Sequence, residues 1–481
     1  MLRHLLHKEI LEHLLSLRFI ILSALGGMVI WLSLFSGYEY YRECLRDYNL
    51  AQAVSEERLR EIVVRKDLKE AALKGYPVFK PPTPMSIFVR GLDPTLGRMG
   101  ALAFRDMRRL SYSPVAEEPI LGVFPPLDLG LAVQVALSLF VLLLTYDAVC
   151  GEKTAGTLCL IASSPVSKDQ LLLSKLIGAL LPTLAAFGLP MLLGIGVVLA
   201  MPNVTLGNAE LVRLGGILAV FAAYLIAFTC AGLCASCLTH RAATSFVLLL
   251  TFWVGTVTIL PRLSLIAADG IRPAPSVQQY QAELRAVGVT RNRERFEDHT
   301  RWSREYRERT GKSWWATTEG REARTLYRKE AQEKFSAKYR PIMDQLERQF
   351  DNRYNARLSL AVMLARLSPA FALNNATVEL AGTGRQRHQR FWEHFSRTRQ
   401  AHTDWYWEEV TLHGLLQARP PAPGTRTSDA QDFSDIPRLI FQEAPPDAEL
   451  ATALVDIGTL ALWALVLFLV SYVALLRYDF R

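Results

Sequence analysis

Apolar residues along this chain gather into blocks, and the charged residues lie between them. Residues 19–35, 129–146, 176–201, 214–238 and 244–260 contain no Asp, Glu, Lys or Arg, and residues 451–476 contain only Asp456. A hydrocarbon core of about 30 Å takes roughly 20 helical residues to cross. The pattern therefore predicts six membrane spans, at 19–36, 129–148, 171–201, 214–238, 244–262 and 451–476. Ahead of them, residues 1–18 place Leu2, Leu5, Leu6, Ile10, Leu14 and Leu17 at helical spacing, with Arg3, Lys8, Glu9 and Arg18 interleaved. That is an amphipathic helix suited to the membrane interface.

Two long polar segments separate the blocks, 37–128 and 263–450. In the first, residues 56–73 read as a charged helix, and Asp128 is placed to N-cap the second span. The second segment reads as mostly helical, punctuated by Gly311 and Gly320, with 358–373 too short for a span and expected at the membrane surface. Lys and Arg mark the short connections: the leading helix, the 149–175 stretch, the 239–241 turn and the 477–481 tail. With six spans all four fall on one side, which the positive-inside rule makes cytoplasmic. Both termini are then expected in the cytoplasm, with 37–128 and 263–450 outside. The fold class is an all-α polytopic membrane protein with a mostly helical extracytoplasmic domain.

Between the second and third spans, residues 149–170 form a short polar loop that carries Lys153 and Lys168, with Lys175 just beyond. Here Glu152-x-x-x-Gly156-Thr157-Leu158 is followed by an apolar run and then Ser163-Ser164-Pro165. This pattern resembles the signature of ABC-2-type ABC transporter permeases, the type V exporter-like transmembrane subunits. Arg366-Leu367-Ser368-Pro369-Ala370, Ala381-Gly382-Thr383-Gly384 and the terminal Arg477-Tyr478-Asp479-Phe480-Arg481 resemble one ABC-2 subgroup, whose members carry large extracytoplasmic insertions after the first and fifth spans.

The resemblance implies a bacterial inner-membrane protein whose 149–170 loop is a coupling helix that docks on an ATPase. Glu152, Gly156, Thr157, Leu158, Ser164 and Pro165 would be the contact residues, with Leu158 filling a pocket on the partner. Residues 1–18 would be the elbow helix, with Lys8 and Glu9 on the ATPase side. Partners would be a separate ABC ATPase holding ATP and Mg, a second permease in a homodimer or heterodimer, membrane lipid and an extracytoplasmic protein. Two other readings stay open: a mechanotransmitting subunit that drives an envelope partner without transport, and a membrane-anchored scaffold or receptor.

Composition changes the picture little. The net charge of +8 comes from basic residues alternating with acidic ones, which is no nucleic-acid stripe. No G-x-x-x-x-G-K-[ST] occurs, so ATP hydrolysis is not expected from this chain, which is read as a permease without catalytic residues or a cofactor of its own. Only Cys44 falls outside the cytoplasm and membrane in this topology, so no disulfide framework is implied. Cys230, Cys234 and Cys237 with His240 have the residue types of a metal site, but small-residue packing accounts for them and no metal is assigned. His388, His394 and His402 do not stack on one helical face and read as solvated surface. Asp456, shallow in the last span, points to capping or to contact with the external domain at least as much as to a transport role.

Overall fold

The computed structural model describes residues 2–65, 76–102, 126–158, 167–413, 436–441, 443 and 447–478. Helix α1 (Leu2–Leu14) leads into α2 (Leu17–Arg65). At 49 residues α2 measures about 73 Å, more than twice the hydrocarbon thickness. It therefore crosses once and continues outward as a polar helix. The charged helix expected at 56–73 is, as far as Arg65, the outer end of the first span.

The remaining apolar helices are α3 (129–145), α5 (Lys168–Leu199), α6 (Asn208–Leu238), α7 (Ala242–Ile271) and α12 (Asp447–Arg477). With α2 they make, among the described residues, six helices long and apolar enough to cross a membrane. The short α4 (Cys150–Ala155) follows α3. Asp128 caps α3 as its spacing predicts: Oδ1 accepts from Leu131 N at 2.8 Å and Oδ2 from Arg90 N at 2.9 Å. Helix α6 is the centre of the bundle, with Phe221, Tyr224, Leu225 and Phe228 all at or below 2 % exposure.

Two spans contain a π-helical turn, Ala132–Leu137 in α3 and Val254–Ile259 in α7. Such a turn breaks the regular ladder, and a carbonyl freed in an apolar medium must find another donor. Tyr224 Oη donates to Gln134 O at 3.0 Å, and Ser368 Oγ donates to Thr256 O at 2.5 Å. Ser368, itself fully buried, also N-caps the next helix by accepting from Phe371 N.

Beyond the spans, on the side opposite the termini, lies a polar module. Strands β1 (Tyr76–Phe79) and β2 (Met99–Leu102) pair antiparallel, with Tyr76 opposite Leu102 and Phe79 opposite Met99. They pack on α11 (Arg385–His413) through Tyr76, Val78, Leu102, Phe391 and Phe395. A buried Asp93 joins this sheet to α2. Lys80 Nζ lies 3.1 Å from it and Arg98 Nη2 lies 2.6 Å from it, and Arg98 also reaches Tyr40. Burial alone would raise the Asp93 pKa, but the two cations outweigh it and hold the carboxyl below its ordinary value.

Helices α8 (Val277–Thr310) and α9 (Thr318–Ala365) form a long antiparallel hairpin. Its rungs are Tyr280 on Phe350 (4.4 Å between centroids), Glu294 to Lys338 (2.7 Å), Asp298 to Lys334 (2.7 Å) and Trp302 on Tyr327 (4.6 Å). These stacked rings explain why its apolar positions look irregular in the sequence: the core is narrow and largely aromatic.

The stretch expected at the membrane surface behaves otherwise. Residues 358–365 finish α9, and α10 (Pro369–Leu380) packs between α6 and α12 with Ala370, Ala372, Leu373 and Ala376 buried. Asp456 of α12 is fully buried; it accepts a hydrogen bond from Asn375 Nδ2 at 2.7 Å and forms an ion pair with Arg366, whose Nε lies 3.0 Å away. Glu449, also on α12, takes Arg213 at 2.9 Å and Arg390. The histidines of α11 are not a solvated surface. His402 is 1 % exposed beside Tyr76 and Trp405, and His388 is half-buried. Burial pushes both imidazoles down to about 4.

Candidate coupling site

At the terminal face, α1 lies against α5, and the contact depends on a missing side chain. A Cβ at Gly178 would sit 2.5 Å from Glu9 Cβ, so only glycine lets the two helices approach this closely. The approach brings Glu9 onto Lys175, one turn before Gly178. Lys175 Nζ is 3.2 Å from Glu9 Oε1 and 2.9 Å from Glu152 Oε2. The three side chains are 2 %, 7 % and 14 % exposed, so little water shares the charge. Lys8 Nζ approaches Glu152 Oε1 at 3.5 Å from the solvent side, which balances two carboxylates with two ammonium groups. Burial holds His13, one turn along α1, below the usual imidazole range, with Glu9 and Glu12 opposing it.

Around this cluster the connection is bolted to three spans. Val149 N and Cys150 N both donate to Ser236 Oγ of α6, at 2.8 and 3.0 Å. Lys153 Nζ donates to Cys237 O and to Thr239 O at 3.0 Å, and so caps the C-terminus of α6. The same ammonium lies 4.8 Å from the centroid of the Tyr478 ring. Lys168 Nζ donates to Leu476 O at 3.2 Å and caps α12. A cation at a helix C-terminus satisfies free carbonyls and opposes the negative end of the dipole. Arg18 of α2 completes the set, 2.6 Å from Asp147. The lysines read from sequence as markers of sidedness are thus each engaged: Lys153 and Lys168 as caps, Lys175 as a buried counter-ion.

Of the residues singled out in the sequence, Lys8, Glu9 and Glu152 come together in one cluster. Gly156 ends α4 in the left-handed region (φ 71°, ψ 0°), as a C-terminal glycine does, and nothing lies within 4 Å of where its Cβ would stand. Thr157 is exposed beside it, its Oγ1 3.4 Å from Glu152 O. Leu158 differs from expectation. It is 1 % exposed and packs with Val149, Leu171, Leu172, Cys237 and Leu475, so it anchors the loop to the chain's own core instead of facing outward. Ser164 and Pro165 lie outside the described residues. Among the described residues of the connection, Thr154, Ala155, Gly156 and Thr157 are exposed in a row, and Ser167, Asp169 and Gln170 are exposed at its far end. Ser236 and Tyr478 were not legible as members of the site, since a serine inside an apolar span and a tyrosine at its end are both ordinary there.

Cys230, Cys234 and Cys237 are buried along α6, and no three His, Cys, Asp or Glu side chains gather as metal ligands among the described residues.

This arrangement can carry force: the connection, whose exposed described residues include Thr154 and Thr157, is tied by buried charge to α1 and α5, and by caps to α6 and α12. A family model described as ABC-2 family transporter protein matches residues 3–480. No curated protein and no solved structure matches the chain.

Proposed function

From the premise that this chain belongs to the ABC-2 transporter family and is a permease subunit of an ABC transporter, we propose that it converts ATP hydrolysis on a separate ATPase into movement of its spans. The observation that carries this reading is the buried Glu9–Lys175–Glu152 cluster. A push on the outer face at 154–157 reaches α1 and α5 through Glu152, and reaches α6 and α12 through Lys153 and Lys168. A loop held by one flexible contact would absorb that push; one held by buried ion pairs and caps passes it on as rigid-body motion. ATP and Mg belong to the partner, the terminal face is the cytoplasmic one, and the permease works as a pair.

The test is purification of the tagged full-length chain from its native membrane. An ABC ATPase should accompany it, and ATP hydrolysis in the eluate should track that subunit. Thr157→Trp, which enlarges an exposed side chain, should remove the ATPase while leaving a monodisperse permease. Retention of the ATPase by this variant overturns the docking assignment.

A second reading has support of its own. The polar module is locked to α12 and α6 by Arg366–Asp456, Arg390–Glu449 and Arg213–Glu449, so motion of those spans would move the hairpin too. A subunit that drives an envelope partner without passing substrate would be built this way. Transport assays in sealed vesicles separate the two.

A further inference from the structure

Two helices leave the bundle on the side away from the termini, the outer half of α2 and the hairpin strut α8. Each carries an exposed stripe that no described residue covers. On α2 the stripe is Glu43, Asp47, Leu50, Val54 and Glu57, at spacings of four, three, four and three, which keeps one helical face. Leu50 and Val54 at its centre are 62 % and 65 % exposed. On α8 the stripe is Arg285, Val289, Arg293, Phe296 and Arg304, all exposed, with Val289 and Phe296 at 67 % and 71 %. Two large apolar side chains bare to water at the centre of a stripe, on both helices, are more than scattered exposure.

The charges sort by stripe. Glu294 and Asp298 of α8 turn inward to Lys338 and Lys334, which leaves its outer face arginine-rich. Among the described residues Arg285, Arg293 and Arg304 form no ion pair. On α2 the acidic groups are held only loosely, Asp47 by Arg46 at 3.9 Å and Glu57 by Arg60 at 4.0 Å, all exposed. Neither stripe can pair with its own kind, because like charges would face each other. Each is opposite to the other in charge and shares with it an apolar centre. Both are exposed, so they do not meet within one chain.

We infer that the occupant of each stripe is the other stripe on a second copy of this chain, α8 of one protomer lying along the outer half of α2 of its partner. A two-fold pair would make the contact twice. The inference rests on the pairing proposed above but not on ATPase docking.

Two differently tagged copies, one Val54→Cys and one Phe296→Cys, are co-expressed and treated in native membranes with a short bismaleimide. The described native cysteines, Cys44, Cys150, Cys230, Cys234 and Cys237, are buried, and each single variant alone gives the background. The expected result is a cross-linked dimer carrying both tags. Reversing Arg285, Arg293 and Arg304 to Glu should lower its yield about fivefold, and reversing Glu43, Asp47 and Glu57 to Lys in the other copy should restore it. Copurification of the tags without cross-linking, while both cysteines still label, overturns the contact but leaves the pairing intact. Failure of the tags to copurify overturns both. A link formed within one chain of the Val54→Cys/Phe296→Cys double variant, with no dimer, also overturns it.

Discussion

Lys175 lies 2.9 Å from Glu152, a residue of the connection that precedes its own helix, and 3.2 Å from Glu9 on the leading helix. One ammonium therefore holds two separate segments to the third span. Taking charge out of water is costly, and the cost is met only while every partner is present. Lys175→Met strands Glu9 and leaves Glu152 only the exposed Lys8, and should cost about 3–5 kcal/mol, read as a large fall in the melting temperature of the detergent-purified protein. Lys175→Met combined with Glu9→Gln and Glu152→Gln should recover most of the loss. A single variant as stable as the parent would show that the cluster does not hold the segments.

Leu158 and Thr157 are neighbours with opposite surroundings, and their substitution should separate folding from docking. Leu158→Asp places an unpaired carboxylate in an apolar cluster and should lower stability by about 3 kcal/mol or more, with loss of the monodisperse peak on gel filtration. Thr157→Asp changes an exposed side chain and should stay within about 0.5 kcal/mol of the parent. Equal behaviour of the two would contradict the buried position of Leu158.

Acid should loosen the polar module before the spans. His402 has a folded pKa of about 4 against an ordinary 6.5, because burial disfavours its charged form. Between those values the unfolded state binds more protons than the folded one, so stability falls as pH drops below 6.5 and levels off below about 4. At pH 5 the loss is roughly 2 kcal/mol, and His388, shifted the same way, adds to it. Hydrogen exchange at pH 7 and pH 5 should show β1, β2 and α11 deprotected at the lower pH, and His402→Leu should reduce the effect. Uniform exchange across the chain at both values would argue against it.

Asp456 couples the last span to α9 and α10 through Arg366 and Asn375. Asp456→Leu leaves Arg366 without its counter-ion and should cost about 3 kcal/mol, while Asp456→Leu with Arg366→Leu should be closer to the parent. The double-variant cycle measures the coupling directly; additive effects would mean that the pair is no latch.

The six apolar blocks, the leading amphipathic helix and the capping Asp128 could all be read from the chain itself. Each depends on residues close in sequence: a run long enough to cross hydrocarbon, a 3.6-residue period, a carboxylate just ahead of a helix. Glu152, Gly156 and Lys8 could be named from a local pattern, but not what each one touches. That Lys175 pairs with a glutamate 166 positions away was decided by the approach of α1 to α5 at Gly178. So was the fate of Leu158, which turns inward because Val149, Leu171, Leu172, Cys237 and Leu475 meet around it, and four separate elements supply them. The continuation of α2 past the membrane and the wedge of α10 between α6 and α12 are of the same kind. Hydrophobic length and period act along the chain, whereas ion pairs, caps and packing act across it, between segments that no local period relates.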